Sequence, residues 1–470
     1  MKNNWLKLCT FALGALTTTQ ICAKKHTNFI VILMDDMGYG DIKPNAAIGY
    51  DTPNIERLVN EGMNFTHFYA PQAVSGASRA GLLTGCYPNR IGLTGAPFPG
   101  STTGLNESEM TIAEVLKQKG YACAAFGKWH IGDMPQFLPT HHGFDEFYGI
   151  PYSNDMWPQH PTIKFPDLPL IEGDRTIELN PDQTQFTTNF TNRAVKFIDK
   201  NKKNPFFLYL AHPMPHVPLF VSDKFKGKSK IGLYGDVMME LDWSIGEIMK
   251  KLEKEGLDKN TLIVVLSDNG PWLNYGNHAG NTGGLREGKG TSFEGGQRVP
   301  CIMRWKGFIP SGSICSNLSS AIDLLPTFAY IADAPLPNHK IDGVNILSLL
   351  EKKKDANPRT SFYYYYREND LEAVTDGYYK LVFPHTHRTY ENFLPGNDGA
   401  PGTVEEFHPL KEKLLFDLRR DPGERYNVIE QHPDVVKRLE QMGQEAREDL
   451  GDNLTKTKGK NNRPVGKATN

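Results

Sequence analysis

The chain has 470 residues, 39% of them hydrophobic, which is enough for one large core and a smaller companion domain. Its net charge is −2, and no Lys/Arg-dense run marks a nucleic-acid footprint, so DNA and RNA are excluded as partners. Frequent Gly, Pro, Tyr and Phe suit a loop-rich enzyme better than a helical scaffold.

The N-terminus reads as an export signal covering residues 1–23. Lys2 and Lys7 supply positive charge, Leu8 to Leu16 is mostly apolar, and Ile21-Cys22-Ala23 is an acceptable cleavage context. The apolar stretch is too short to span a bilayer, which predicts a periplasmic or secreted product with no membrane span. Cys22 lacks the preceding residues of a lipid-anchor site. Of the remaining cysteines, Cys86, Cys123, Cys301 and Cys315 match no zinc spacing. Cys123 and Cys301 lie in apolar runs as small core residues.

Strand-length apolar runs then alternate with helical patterns. Asn28 to Met34 reads as a buried strand, followed by helix-like residues from Asn54. Thr111 to Lys119 has helical period with Gly120 as a stop, and Tyr121 to Phe126 follows as a strand. A helix at Asn189 to Lys200 precedes the strand Pro205 to Leu210. An amphipathic helix at Val237 to Glu255 precedes the strand Thr261 to Leu266. This order predicts an α/β fold with a mostly parallel sheet sandwiched by helices. A charged connector near Lys352 to Pro358 divides a domain at 24–354 from a smaller one at 355–470. In the latter, SFYYYYRE, GYYKLVF and KLLFDLRR read as an antiparallel sheet and Pro433 to Arg447 as a terminal helix. The tyrosine run Tyr363 to Tyr366 reads as alternating strand faces, and Asp421 to Glu424 as a turn without chemistry. Residues from Thr455 to Asn470 are Lys-, Gly- and Asn-rich and are expected to be poorly ordered.

Ligands of parallel sheets bind at the carboxyl ends of the strands. Asp35-Asp36, Lys128 to His130, His212 to His216 and Asp268-Asn269 all follow strand-like runs and converge on one sheet edge. Asp35, Asp36, Asp268 and Asn269 form a hard-oxygen set suited to calcium or magnesium rather than zinc, although either pair alone reads as a polar turn. Ser75 precedes Ser78, Arg79 and a helix-like run, where free backbone N–H groups favour an anion. The alternative is that Ser75 or Ser78 is a plain helix cap.

Ser75-Gly76-Ala77-Ser78-Arg79 with Leu83-Thr84-Gly85 resembles the signature of the sulfatase family, with Ala77 in place of the commoner Pro. GNHAGNTGGLREGKGTSFEGG and DLRRDPGERYN look most like the arylsulfatase A and N-acetylgalactosamine-6-sulfatase branch. The resemblance implies an alkaline-phosphatase-like sheet domain with a C-terminal α+β domain. It also implies release of sulfate from a sulfated carbohydrate of galactose or N-acetylgalactosamine type, and one calcium ion in preference to magnesium. Ser75 would be converted to formylglycine (3-oxoalanine), whose hydrate offers one oxygen to attack sulfur and a second hydroxyl to expel the sulfate. A serine in place of cysteine implies an anaerobic radical sulfatase-maturating enzyme as partner. By the same resemblance Lys128 and Lys289 bind sulfate, His130 is the base and His216 binds sulfate and protonates the leaving oxygen. Arg79 holds the nucleophile and the metal ligands. Asn154, Asp155, Trp157, His278 and Arg367 are candidate sugar contacts, with loop anchoring as the alternative. Competing readings are a phosphatase or phosphonate monoester hydrolase using unmodified Ser75, and a glycan-binding protein with a decayed site.

Overall fold

A computed structural model describes residues 26–468, so the expected signal peptide at 1–23 lies outside the described residues. Strand β1 (Asn28–Met34) has all seven residues buried, as an unbroken apolar run requires. It lies inside a ten-stranded sheet. The other strands are β2 (Met63–Phe65), β3 (Ala122–Lys128), β4 (Glu146–Ile150), β5 (Pro169–Glu172), β6 (Arg175–Leu179), β7 (Phe206–His212), β8 (Thr261–Ser267), β9 (Cys301–Arg304) and β10 (Ser313–Cys315). Their order in space is β10-β2-β9-β8-β1-β7-β3-β4-β5-β6. The central five, β8 to β4, are parallel, and antiparallel β9 and β5 flank them. Register is tight at the centre: Ile30 pairs with Ile263 on one side and Leu208 on the other.

The two-residue alternation of β1 divides the core. Phe29, Val31 and Leu33 pack with side chains from helices α2 (Ser75–Thr84), α3 (Ile112–Lys117) and α6 (Leu324–Ala332). Ile30, Ile32 and Met34 pack with α1 (Pro53–Glu61), α4 (Phe186–Asn201) and α5 (Leu233–Lys254) on the opposite face. Helix α3 begins one residue later than its period suggested because Thr111 is its cap, and it ends at Lys117 with Gln118 as the C-cap. Thr111 Oγ1 accepts from the Glu114 N–H, and the Glu114 carboxylate accepts from the Thr111 N–H. The four cysteines among the described residues are buried and unpaired. No helix among the described residues is long and apolar enough to cross a membrane.

Strands β11 (Phe362–Tyr366), β12 (Asp370–Thr375), β13 (Tyr379–Val382) and β14 (Leu414–Asp417) form an antiparallel sheet covered by α7 (Pro433–Leu450). Its core continues into Tyr69, Tyr87, Leu318 and Ile322 of the large sheet region. Three sequence expectations change here. A bulge between Tyr364 and Tyr365 breaks the expected alternation, so both rings are buried. The 421–424 turn forms, but it drives Glu424 inward, where its carboxylate meets Lys380 at 2.8 Å and accepts from the Glu294 N–H at 2.7 Å. The C-terminal tail is also ordered rather than loose. Arg463 reaches buried Glu109 with Nε at 2.6 Å and Nη2 at 2.8 Å, and Gly466–Lys467 pairs with Thr103–Gly104. One fixed ion pair outweighs the disorder that the composition favours.

Candidate active site

The site is assembled by strand ends. Met34 and Ser267 pair in the last register of β1 and β8, so Asp35-Asp36 and Asp268-Asn269 emerge side by side. The Asp36 N–H donates to Asp268 Oδ1 at 3.2 Å, and Asn269 Nδ2 donates to Asp36 Oδ1 at 2.6 Å. Asp36 holds a left-handed φ of 62°, an uncommon state for a non-glycine residue that fits the sharp exit from the strand. Lys128 ends β3, His130 follows it with φ 65°, and His216 lies four residues beyond β7. Lys289 comes from the loop before the short helical turn Glu294–Gln297, fixed where its N–H donates to the Pro271 carbonyl at 2.9 Å.

Helix α2 brings Ser75. The cap position is Val74, with no side-chain cap, so the Ser75 hydroxyl is free for another role. It donates to Asp268 Oδ2 at 2.6 Å and accepts from Arg79 Nε at 2.8 Å. The plain-cap alternative for Ser75 therefore fails. The helix start is seated closely: a Cβ on Gly76 would stand 2.7 Å from the Gly95 carbonyl oxygen and 2.8 Å from that of His130. Arg79 Nη1 donates to the Lys128 carbonyl at 2.8 Å, and Nη2 lies 2.9 Å from Asp268 and 3.5 Å from Asp35.

Three cations face three carboxylates. Lys128 pairs with Asp35 and donates to Ser153 Oγ at 3.1 Å, while Lys289 donates to Asp36 at 2.9 Å over the Trp272 ring, 4.6 Å from its centroid. Burial alone would raise the Asp35 pKa, but Lys128, His216 and Arg79 reverse this and hold it below the usual carboxylate range. Burial and the surrounding Lys128, Arg79, Lys289 and His216 drive the His130 pKa well below the usual imidazole value. Neither ring nitrogen of His130 has a protein partner. His216 engages the Val217 carbonyl through Nδ1 and turns Nε2 to 3.7 Å from Asp36.

Asp35 Oδ1 and Asn269 Oδ1 are buried without a hydrogen-bond partner. Buried acceptors are rarely left so, and two of them beside carboxylates fit a hard cation. His216 stands near enough that one of its ring nitrogens and oxygens of Asp35 and Asp36 fall within 4.8 Å of one another.

These groups underlie a cleft of about 530 Å³ lined by Ser75, Lys128, His130, His216 and Lys289. The matching family model, Sulfatase, covers residues 27–334 and thus the whole constellation. The chain belongs to the sulfatase family. The C-terminal region of aryl-sulfatase matches residues 357–468. Bovine (Bos taurus) arylsulfatase A is 37% identical over 88% of this chain and 86% of its own length. Mouse (Mus musculus) N-acetylgalactosamine-6-sulfatase is 36% identical over 95% and 90%. Among solved structures, the PsFucS1 sulfatase from Pseudoalteromonas sp. superposes with a TM-score of 0.79 at 27% identity, covering 89% of each chain. This chain is thus a sulfatase-family enzyme.

The candidate sugar contacts separate. Asp155 and Arg367 line the cleft, and Asp155 Oδ1 has no partner. Burial would raise the Asp155 pKa, yet His216, a bond from Ser153 and Lys128 hold it low. Asn154 spends its amide on Gln183 and the Pro218 carbonyl, and Trp157 packs edge-on against Phe220. His278 ends the turn Leu273–His278 against Gly399. None of these three is among the side chains that line the cleft, although Asn154 Oδ1 and His278 Nδ1 are buried without a partner. Sequence reasoning missed Ser153, Trp272, Phe98, Phe165 and Arg388. Trp272, three residues after Asn269, had a positional signal; Ser153, Phe98 and Phe165 come from loops without pattern, and Arg388 from the strand His385–Thr389, paired with Glu405–Leu410 in a two-stranded ribbon.

Proposed function

We propose that this sulfatase hydrolyses a sulfate ester on a galactose- or N-acetylgalactosamine-type glycan, using formylglycine formed from Ser75 and one calcium ion. The observation that carries the reading is the Ser75 hydroxyl, left uncapped at the head of α2 and gripped between Asp268 and Arg79. Asp35, Asp36, Asp268 and Asn269 would hold the ion. Calcium there would supply Lewis-acid stabilisation of the anionic oxygens. Formylglycine would supply an aldehyde hydrate, a nucleophile with a second hydroxyl.

The chain's own side chains do the rest. Arg79 fixes the residue 75 oxygen, and Lys128 and Lys289 face the oxygens of the sulfuryl group and hold it while charge moves from the attacking to the leaving oxygen. His130, held neutral by burial and its cationic neighbours, takes a proton at residue 75. His216, with Nε2 turned toward the cleft side of Asp36, is the proton donor to the departing sugar oxygen, so that the sugar leaves as an alcohol while the sulfuryl group passes to the residue 75 oxygen. The N-acetylgalactosamine-6-sulfatase relatives support the sugar type. The serine at residue 75 supports maturation by an anaerobic radical enzyme, and the charge and apolar pattern of residues 1–23 supports export. The domain division at 354/355 belongs to the same reading.

The test is a mass spectrum of the residue 75 peptide from active enzyme made in a host with that maturation system. The expected result is the loss of two hydrogens. An active preparation whose residue 75 is wholly unmodified serine would overturn the formylglycine reading.

A further inference from the structure

Besides the sulfate-facing side chains, the cleft lining holds two further groups of opposite character. On one side Phe98 and Phe165 stack at 6.0 Å and 17°, with His160 edge-on to Phe165. Phe98 is 55% exposed, an aromatic face left open at the mouth. Such a face suits the C–H surface of a pyranose.

The other wall comes from the C-terminal sheet. Arg367 and Glu368 occupy the turn between β11 and β12 with left-handed φ values of 39° and 42°. Turns of this kind are normally built from Gly, Asn or Asp, so an Arg-Glu pair here is retained against local preference. Strain of this sort at a cleft edge points to function. Arg367 has no carboxylate partner among the described residues. Nη2 donates to the Glu406 carbonyl at 2.6 Å, and Nε is buried without a bond. Arg388 donates through Nε to the Glu406 carboxylate and is wedged against the Lys289 segment. A Cβ on Gly290 would stand 3.1 Å from its Nη1. A guanidinium therefore sits one residue from the inner sulfate-facing lysine, with a second at the rim. Planar guanidinium groups match carboxylate and sulfate oxygens in paired bonds.

We infer that this outer half is a second sugar subsite, which binds an anionic substituent, carboxylate or sulfate, on the sugar adjoining the one whose ester is cleaved. The inference rests on the sulfatase reading for the inner half. Phe98 stacks on the adjoining ring, Arg367 and Arg388 take its anionic group, and Glu368 accepts from its hydroxyls.

The experiment compares kcat/KM on four substrates. They are a sulfated monosaccharide and the same sugar joined to a neutral sugar, a uronic acid or a second sulfated sugar. At least one acidic disaccharide should exceed the neutral one by about tenfold or more, and the preferred acid identifies the anionic group. Arg388→Ala and the surface-turn variant Arg367→Gln should each shrink that ratio several-fold. Equal kcat/KM on all three disaccharides, or a preference that survives in both variants, would overturn the subsite. Release of sulfate from none of the four would overturn the sulfatase reading instead. Calorimetric binding of the acidic disaccharide without its ester, weakened by Arg367→Gln, would still uphold the subsite.

Discussion

Lys380 offers a severe test of how the two sheet regions are joined. Its ammonium is fully buried and donates to the Ser292 carbonyl at 2.7 Å and to Glu294 at 3.1 Å, with Glu424 at 2.8 Å and the Tyr364 ring 3.9 Å beneath. Glu294 also receives the Tyr69 and Tyr364 hydroxyls at 2.7 Å and has Arg298 at 3.5 Å, so it stays ionised. Glu424 has fewer partners, and burial raises it from 4.5 to about 7 despite Lys380. Lys380→Met leaves two buried carboxylates sharing no cation, and breaking such an arrangement costs about 3–5 kcal/mol. The sign with pH follows from Glu424. A carboxyl raised in the folded state favours folding at low pH and loses that advantage as pH rises from about 4.5 to 7. Without Lys380 its proton is held still more tightly, so the loss should be smaller at pH 5.5 than at pH 8. Urea unfolding followed by tryptophan fluorescence at those two pH values measures it. Lys380→Met/Glu424→Gln should recover part of the loss at pH 8. A cost under about 1 kcal/mol at pH 8, or one equal at both pH values, would refute the argument that these charges are desolvated.

Lys289→Ala should lower kcat on a sulfated sugar by about two to three powers of ten, read from initial rates of sulfate release. Gly76→Ala should depress both activity and unfolding midpoint, because the added methyl meets two backbone carbonyls that cannot swing away. Chelation should lower the unfolding midpoint, with calcium restoring it better than magnesium. At a hundredfold excess over Kd the ion contributes about 2.7 kcal/mol, and a midpoint unmoved by chelator would remove the ion from the proposal. Arg463→Ala should free the tail for limited proteolysis after residue 450, since the Glu109 pair is what fastens it.

The inner site was legible because its chemistry sits at strand ends, and strand ends of parallel sheets converge wherever the exact boundaries fall. Asp35 and Asp268 needed only the apolar runs before them to be placed together. The outer cleft was not legible. Phe98, Phe165 and Arg388 stand on loops and a ribbon far apart in the chain, with no period to mark them. Composition misled at the tail, where the pairing of Arg463 with Glu109 spans 354 residues. It misled again at Glu424, where a surface turn motif hides a carboxylate directed into the protein. Asn154 shows the limit of motif neighbourhood. It adjoins Asp155, but its amide serves Gln183, while Ser153, Asp155 and Met156 on either side of it line the cleft.

The charges of the inner site bear on why a metal should be wanted there. Asp35, Asp36 and Asp268 are already matched by Lys128, Lys289 and Arg79. Neutrality therefore requires no further ion. What the pairs leave over is geometry: Asp35 Oδ1 and Asn269 Oδ1 lack partners, and the hydroxyl of residue 75 is held between Asp268 and Arg79. A divalent ion bound by those oxygens would leave the set at about +2 at the buried floor of the cleft, where attraction for an anion is screened less than at the surface. A sulfate ester brings one negative charge, and the attacking oxygen of residue 75 adds a second as it gives up its proton, a charge that moves to the sugar oxygen as its bond to sulfur breaks. The excess positive charge is thus worth more to the transition state of sulfuryl transfer than to the bound ester, which is the condition for lowering a barrier rather than merely tightening binding. On this argument Asp35→Asn, which removes a carboxylate but keeps an oxygen, should weaken calcium binding and leave Lys128 without its partner. It should therefore lower kcat more than it raises KM. The reverse split would show that the cations act on the ground state, and the electrostatic reasoning would fail.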